Sequence, residues 1–211
     1  MSLSVRSLVR NAMYDRIPGV LRRGPTHVNR VALTFDDGPD HMTEQYLDVL
    51  DRLGVPATFF LIGENIANRP AMVREYIRRG HQIAGHSYDH TRFPELGNEA
   101  LLEQCARTEQ ALGSQLTERA WIRPPHGTLD ARTLVTLLAG GYTVAMWSFD
   151  TQDYDIKEPE QLVAGSKAIR SGDVILMHEG QDWTLAALPG IVNGLREQGL
   201  ELVTMHDLFA R

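Results

Sequence analysis

From residue 31 onward the chain alternates short apolar runs with segments whose apolar residues recur every three or four positions. The runs at 31–36, 58–62, 82–84, 121–123, 143–147, 174–177 and 200–204 read as buried strands. Between them, Tyr46, Leu47, Leu50 and Leu53 share one helical face ahead of Gly54, and Met72, Val73, Tyr76 and Ile77 do the same ahead of Gly80. Leu134, Val135, Leu137 and Leu138 repeat the pattern before Gly140-Gly141, and Pro159 suits the first turn of a helix running towards Ile169. Strands separated by helical crossovers predict a parallel sheet. Seven candidates are few for a closed eightfold barrel. The expected fold is therefore α/β, a distorted, incomplete (β/α) barrel of TIM-like form with about seven parallel strands.

A chain of 211 residues suits one core of this kind. The charge divides it into a basic N-terminal arm, residues 1–30, and a single domain, residues 31–211. The arm carries Arg6, Arg10, Arg16, Arg22, Arg23 and Arg30 against Asp15 alone, a charge of +5, which leaves −11 on the remainder of a chain whose net charge is −6. An acidic body argues against nucleic acid as a partner. The arm lacks the compact apolar core and small-residue cleavage site of a secretory signal, which favours a cytoplasmic setting. It is expected to pack across the barrel bottom, with contact between residues 1–24 and a membrane surface as the alternative. The sequence leaves the oligomeric state open. The single Cys105 forms no internal disulfide and shares a helical pattern with Leu101 and Leu102, so it reads as buried packing.

The chemistry gathers at the ends of the predicted strands. Asp36 and Asp37 close the first and are followed by a Gly38-Pro39 turn. Two acids at the end of a buried strand need a metal, an arginine or a shared proton to compensate them. His86 and His90 are four apart, spaced so that both can face one side of a helical turn; one carboxylate with two histidines is a common ligand set for a catalytic divalent ion. Arg123 ends the fourth strand, Asp150 and Asp153 follow the fifth, and His178 ends the sixth. In barrels of parallel strands these ends meet at one mouth.

These segments resemble the five motifs of the NodB-type polysaccharide deacetylases, carbohydrate esterase family four. Thr34-Phe35-Asp36-Asp37-Gly38-Pro39 matches the first motif intact, and His86-Ser87-Tyr88-Asp89-His90 matches the second, H-[ST]-x-x-H. Arg123-Pro124-Pro125-His126-Gly127 stands for R-x-P-Y-G, Asp150-Thr151-Gln152-Asp153-Tyr154 for D-x-x-D-W, and Leu176-Met177-His178 for L-x-H. The resemblance implies one divalent metal, zinc foremost with cobalt, nickel or manganese as alternatives, held by Asp37, His86 and His90. It implies that Asp36 is the general base, that Arg123 holds this base by a salt bridge, and that the metal-bound water attacks. His178 then resembles the acid that protonates the leaving amine, with Asp153 as its partner.

The substrate implied is an acylated amino-sugar or glycan losing an N-acyl group, foremost N-acetyl. An O-acetyl esterase on glycans, a deformylase of a lipid-linked sugar and an amidohydrolase of a small non-sugar amide are the alternatives. His126 replaces the third-motif tyrosine, whose backbone N–H contributes to the oxyanion site. Tyr154 replaces a tryptophan that walls the acyl pocket with Leu176. Trp183, in a polar stretch after His178, is a candidate for sugar stacking. Trp147, which ends a strand, and His81, which precedes one, read as packing, and Glu179 is given no role.

Overall fold

The computed structural model describes residues 14–113 and 120–210. Residues 1–13, the larger part of the segment for which membrane contact is an expected alternative, lie outside the described residues. Among those described, nine strands form: β1 (Val20–Leu21), β2 (Arg30–Asp36), β3 (Thr58–Leu61), β4 (Gln82–Gly85), β5 (Trp121–Ile122), β6 (Thr143–Ala145), β7 (Phe149–Asp150), β8 (Val174–His178) and β9 (Glu201–Val203). All seven predicted runs are among them. The additions, β1 and β7, have two residues each, too short to show any period in sequence.

Every pairing between these strands is parallel, and the order across the sheet is β1-β6-β5-β4-β3-β2-β8-β7. β9 lies off this path and pairs with β2 at Arg30–Ala32, on the edge that β3 takes from Thr34 to Asp36, while β8 runs along the opposite edge from Ala32 to Asp36. β1 and β7 end the path without pairing to each other, so the sheet curls into an incomplete barrel.

Helices pack outside it: α1 (Thr43–Leu53), α2 (Gly63–Asn68), α3 (Pro70–Arg78), α4 (Asn98–Leu112), α5 (Ala131–Ala139), α6 (Pro159–Ser166), α7 (Asp182–Glu197) and α8 (Met205–Phe209). α1 stops where Gly54 takes φ 62°, a left-handed conformation in which glycine carries no Cβ penalty.

Side chains along β2 alternate between two environments, as strand geometry requires. Val31, Leu33 and Phe35 join the cluster built with Tyr46, Leu47 and Leu50 of α1 and Leu188, Ile191 and Leu195 of α7. Burying each such side chain contributes roughly 1.5–3 kcal/mol. Ala32 instead packs inside the barrel with Phe60, Ala84, Ala145 and Val174, where Met205 and Leu208 of α8 close the bottom. Thr34 and Asp36 follow Ala32 at intervals of two, so both point inward, with Asp36 at the open end. Cys105 is buried and free, as its pattern suggested. Among the described residues no helix is long and apolar enough to cross a membrane.

His81 packs as expected, edge-on to Phe59 with ring centroids 5.3 Å apart. Its Nδ1 accepts the Ala57 N–H at 3.1 Å, and Nε2 is buried without a partner. Burial pushes this imidazole down to about 4. The unfolded chain therefore takes up the proton first, and stability present above pH 6.5 is lost as pH falls towards 4. In chelator, urea unfolding of the wild-type protein should lose up to about 2 kcal/mol more between pH 7 and pH 5 than unfolding of His81→Gln. Equal slopes would show that His81 titrates alike in both states.

Candidate active site

The strand ends enclose a cavity of about 500 Å³ lined by Asp36, Asp37, His86, His90, Arg92, His126, Gly127, Trp147, Asp150, Tyr154, Leu176, His178 and Gln181. Nine of the residues singled out in the sequence for the site thus meet there: Asp36, Asp37, His86, His90, His126, Asp150, Tyr154, Leu176 and His178. Arg123 and Asp153 are fully buried behind the lining. Trp183 lies elsewhere: its indole N–H donates to the Asp153 carbonyl at 2.6 Å, its ring packs on the main core, and Lys157 sits 5.4 Å from the ring centre. It is not part of the cavity lining.

Asp36 is 3% exposed and is bound from within the barrel. Arg123 Nη1 donates to Asp36 Oδ1 at 2.6 Å and to Thr34 Oγ1 at 2.8 Å. The same guanidinium lies 3.8 Å from the Phe60 ring centre, and its remaining donors approach the carbonyls of Ala145 and Met146 at 3.4 and 3.3 Å. The second oxygen, Oδ2, faces the cavity 3.6 Å from His86 Nε2.

Asp37 stands beside it in a left-handed conformation, φ 76°, with its carbonyl accepting from Asn65 Nδ2 at 2.8 Å. Ser87, His90, His126 and Gln152 also have φ between 56° and 65°. Left-handed backbone costs a non-glycine residue about 1 kcal/mol or more and collects at functional sites. The expected helical turn over 86–90 is a bend instead. Ser87 and His90 turn left-handed, and Ser87 Oγ accepts the His90 N–H at 2.8 Å, so the local hydrogen bond goes to a side chain rather than to a helical carbonyl.

The bend still brings the histidines together. His86 Nδ1 lies 2.8 Å from the Arg123 carbonyl. A carbonyl only accepts, so Nδ1 carries the proton and Nε2 is left with a lone pair. His86 Nε2 and His90 Nε2 are 3.6 and 3.3 Å from Asp37 Oδ1, an oxygen that is shielded from solvent and receives no hydrogen bond. One ligand atom from each residue lies within 4.8 Å of the others. Burial, reinforced by the neighbouring His86, pushes His90 down to about 4. With His90 neutral at pH 7 and Nε2 facing Asp37, the group consists of acceptors, and a divalent cation fits the donor set.

On β8, next to β2 and in register with Asp36, His178 Nδ1 lies 2.7 Å from Asp153 Oδ1. Asp153 Oδ2 accepts the His178 N–H and the Thr184 hydroxyl, each at 2.8 Å. Burial alone would lower the His178 imidazole; the Asp153 hydrogen bond and the charges of Asp153, Asp36 and Asp37 outweigh it and push it up to about 9. The Tyr154 ring meets His178 edge-on at 5.7 Å. Tyr154, His126 and Arg92 are exposed around the mouth. The His126 ring is 4.6 Å from that of His90, and burial together with the Arg92 charge pushes it down.

Trp147, Arg92 and Gln181 were not anticipated. Trp147 lies just beyond β6 at the mouth, and its ring occupies the space that a side chain on Gly127 would need. Its place at the carboxyl end of a strand was the available signal; Arg92 and Gln181 carried none.

Fold and site together define a parallel (β/α) barrel whose carboxyl-end mouth presents a metal-type donor set beside two buried ion pairs. The polysaccharide deacetylase family profile matches residues 23–145. A peptidoglycan-N-acetylglucosamine deacetylase of Bacillus cereus is 32% identical over 191 residues, covering 87% of this chain and 90% of that protein. The peptidoglycan-N-acetylglucosamine deacetylase PgdA of Listeria monocytogenes is 32% identical over 186 residues, and the match spans 85% of this chain but only 39% of that protein. The crystal structure of the Bc1960 peptidoglycan N-acetylglucosamine deacetylase, in complex with 4-naphthalen-1-yl-N-oxidanyl-benzamide, superposes with a TM-score of 0.85 at 31% identity, covering 98% and 97% of the two chains. The chain belongs to the polysaccharide deacetylase family.

His90→Ala should abolish stoichiometric zinc uptake in equilibrium dialysis, because it removes one of three donors. Uptake of one equivalent at wild-type affinity would exclude His90 as a ligand.

Proposed function

We propose that this protein is a metal-dependent hydrolase that removes N-acetyl groups from an N-acetylglucosamine-containing glycan. The observation that carries this reading is the meeting in one cavity of the Asp37, His86 and His90 acceptor group with Asp36, paired to Arg123, and His178, paired to Asp153. Binding alone requires no base and acid beside a metal-type group. The exposed residues of the mouth leave room for a chain of sugars, and the relatives named above are deacetylases of peptidoglycan N-acetylglucosamine.

Asp37, His86 and His90 would hold the ion, with zinc favoured by imidazole and carboxylate donors. A divalent ion there supplies Lewis acidity towards a water molecule and the amide carbonyl. Asp36, fixed by Arg123, takes the proton of the attacking water at Oδ2, the oxygen that Arg123 leaves free. The His126 N–H stabilises the developing oxyanion; a backbone donor serves whichever side chain stands at 126. His178 keeps Nδ1 on Asp153 and gives a proton from Nε2 to the departing amine nitrogen. Leu176, Trp147 and Tyr154 wall the acyl side. The products are acetate and a free amino-sugar.

The test is release of acetate or formate from a panel of N-acetylated, O-acetylated and N-formylated sugars, with and without chelator. Acetate from N-acetylglucosamine oligomers should predominate, stop with chelator and return with zinc, and Asp36→Asn should lower turnover by roughly 10²-fold or more while zinc stays bound. Preference for O-acetyl, formyl or small non-sugar substrates would replace this reading.

Turnover should also fall on the basic side as His178 loses its proton. Asp153→Asn removes the group that raises this imidazole, so the basic limb of the zinc-loaded enzyme should move to lower pH. An unmoved limb in a folded, zinc-loaded variant would break the assigned pairing.

A further inference from the structure

Glu179 follows His178, is 3% exposed, and has no part in the chemistry above. Its carboxyl group is held by two hydroxyls from different helices. Thr43 Oγ1, at the start of α1, donates to Oε1 at 3.0 Å. The Tyr76 hydroxyl, from α3, donates to Oε2 at 2.8 Å and lies 3.1 Å from Oε1. Thr43 Oγ1 also accepts the Asp40 N–H at 2.8 Å, which ties the same group to the turn after Asp37. Among the described residues no cationic side chain is hydrogen-bonded to Glu179. Burial, with the charges of Asp40 and Asp37 adding to it, pushes its carboxyl up to about 8 despite the hydroxyls.

The carboxyl group sits directly against Gly38. A Cβ on residue 38 would collide with Glu179 Oε2, so the turn after Asp37 leaves no room for a side chain. The contact is reciprocated one residue on: at Gly180 a Cβ would collide with Asp40 Oδ2. The Glu179 N–H donates to the Asp36 carbonyl at 3.0 Å. The loop bearing Asp36 and Asp37 and the loop bearing His178 are therefore interlocked at Glu179 and again at Gly180.

We propose that Glu179 is a positioning residue: clamped by Thr43 and Tyr76, it wedges the Gly38 turn against the β8–α7 connection and sets where Asp36 and Asp37 stand relative to His178. The inference rests on the proposed function for the reaction that this spacing serves. A wedge works through its length and its two contacts, so shortening it should let the turn shift. Displacements of about 1 Å at a catalytic constellation cost up to about 10²-fold in rate.

The test compares three variants. Glu179→Gln keeps the length and both hydroxyl contacts, Glu179→Asp withdraws the carboxyl by one methylene, and Tyr76→Phe removes one hydroxyl from an unchanged ring. For each, kcat and KM are measured on an N-acetylated chitooligosaccharide, zinc affinity by competition with a chromogenic chelator, and folding by circular dichroism. Glu179→Asp should lose about 10-fold or more in kcat with KM within about threefold of wild type, and its zinc affinity should fall as Asp37 shifts. Glu179→Gln should retain most of both, and Tyr76→Phe should fall between.

A folded Glu179→Asp with wild-type kcat and zinc affinity overturns the proposal. So does a Glu179→Gln as impaired as Glu179→Asp, since charge and not shape would then matter. If Glu179→Asp does not fold, Tyr76→Phe decides, and unchanged kcat and zinc affinity in it overturn the proposal. If the wild-type enzyme releases no acetate from the sugar, it is the proposed function that fails, and zinc affinity across the variants alone decides the role of Glu179.

Discussion

A full positive charge inside the barrel is the constraint around which the site is organised. Arg123 is 0% exposed, and a guanidinium so enclosed must be paired. Asp36 supplies the opposite charge, Thr34 and two strand-end carbonyls take further N–H groups, and Phe60 offers its ring face. Removing one partner of such a pair costs about 3–5 kcal/mol, because the other charge is left buried and unpaired. The carboxylate proposed as base is thus also a structural counter-ion, and its orientation is fixed before any substrate arrives. The backbone carbonyl of Arg123 sets the His86 tautomer as well, so one residue orders both the base and a ligand histidine.

His178 is organised on the same plan on the neighbouring strand. Its Nδ1 and its backbone N–H both bind the buried Asp153, which Thr184 of α7 holds in turn. Beside these two anchored pairs lies the Asp37, His86 and His90 group, in which Asp37 and His90 are left-handed and His86 adjoins the left-handed Ser87. Rigid strands fix the proton-transfer groups, and strained turns aim the ligands.

Much of this was legible in the sequence because it depends on strand ends and on the period of two. Apolar runs marked seven of the nine described strands, and Asp36 falls on the same face as Ala32, so it had to point inward. The parts that could not be read have particular causes. Strands β1 and β7 are too short to carry a period. The four-residue spacing of His86 and His90 matches a helical turn equally well, and only the Ser87 side chain and two left-handed residues make it a bend. Trp183 lies in what reads as a polar loop, but that stretch opens α7, and the indole is drawn inward by the Asp153 carbonyl. Arg92 is an exposed loop residue with nothing in its neighbourhood to distinguish it. Glu179 is given no role in the sequence because the hydroxyls that hold it come from helices more than a hundred positions away.

The fork at β2 bears on how the site is kept in alignment. One edge is bound to β8 from Ala32 to Asp36, and the other is divided between β9 from Arg30 to Ala32 and β3 from Thr34 to Asp36, so the strand that ends in Asp36 has no edge along which to slide. A slip of one residue would exchange the two faces, sending Phe35 into the barrel and Asp36 out among the helices. Three separate ladders would have to break together for that to happen. The accuracy with which the base is delivered to the cavity is therefore a property of the strand register, held at a distance from the cavity by backbone hydrogen bonds whose pattern does not depend on side-chain identity.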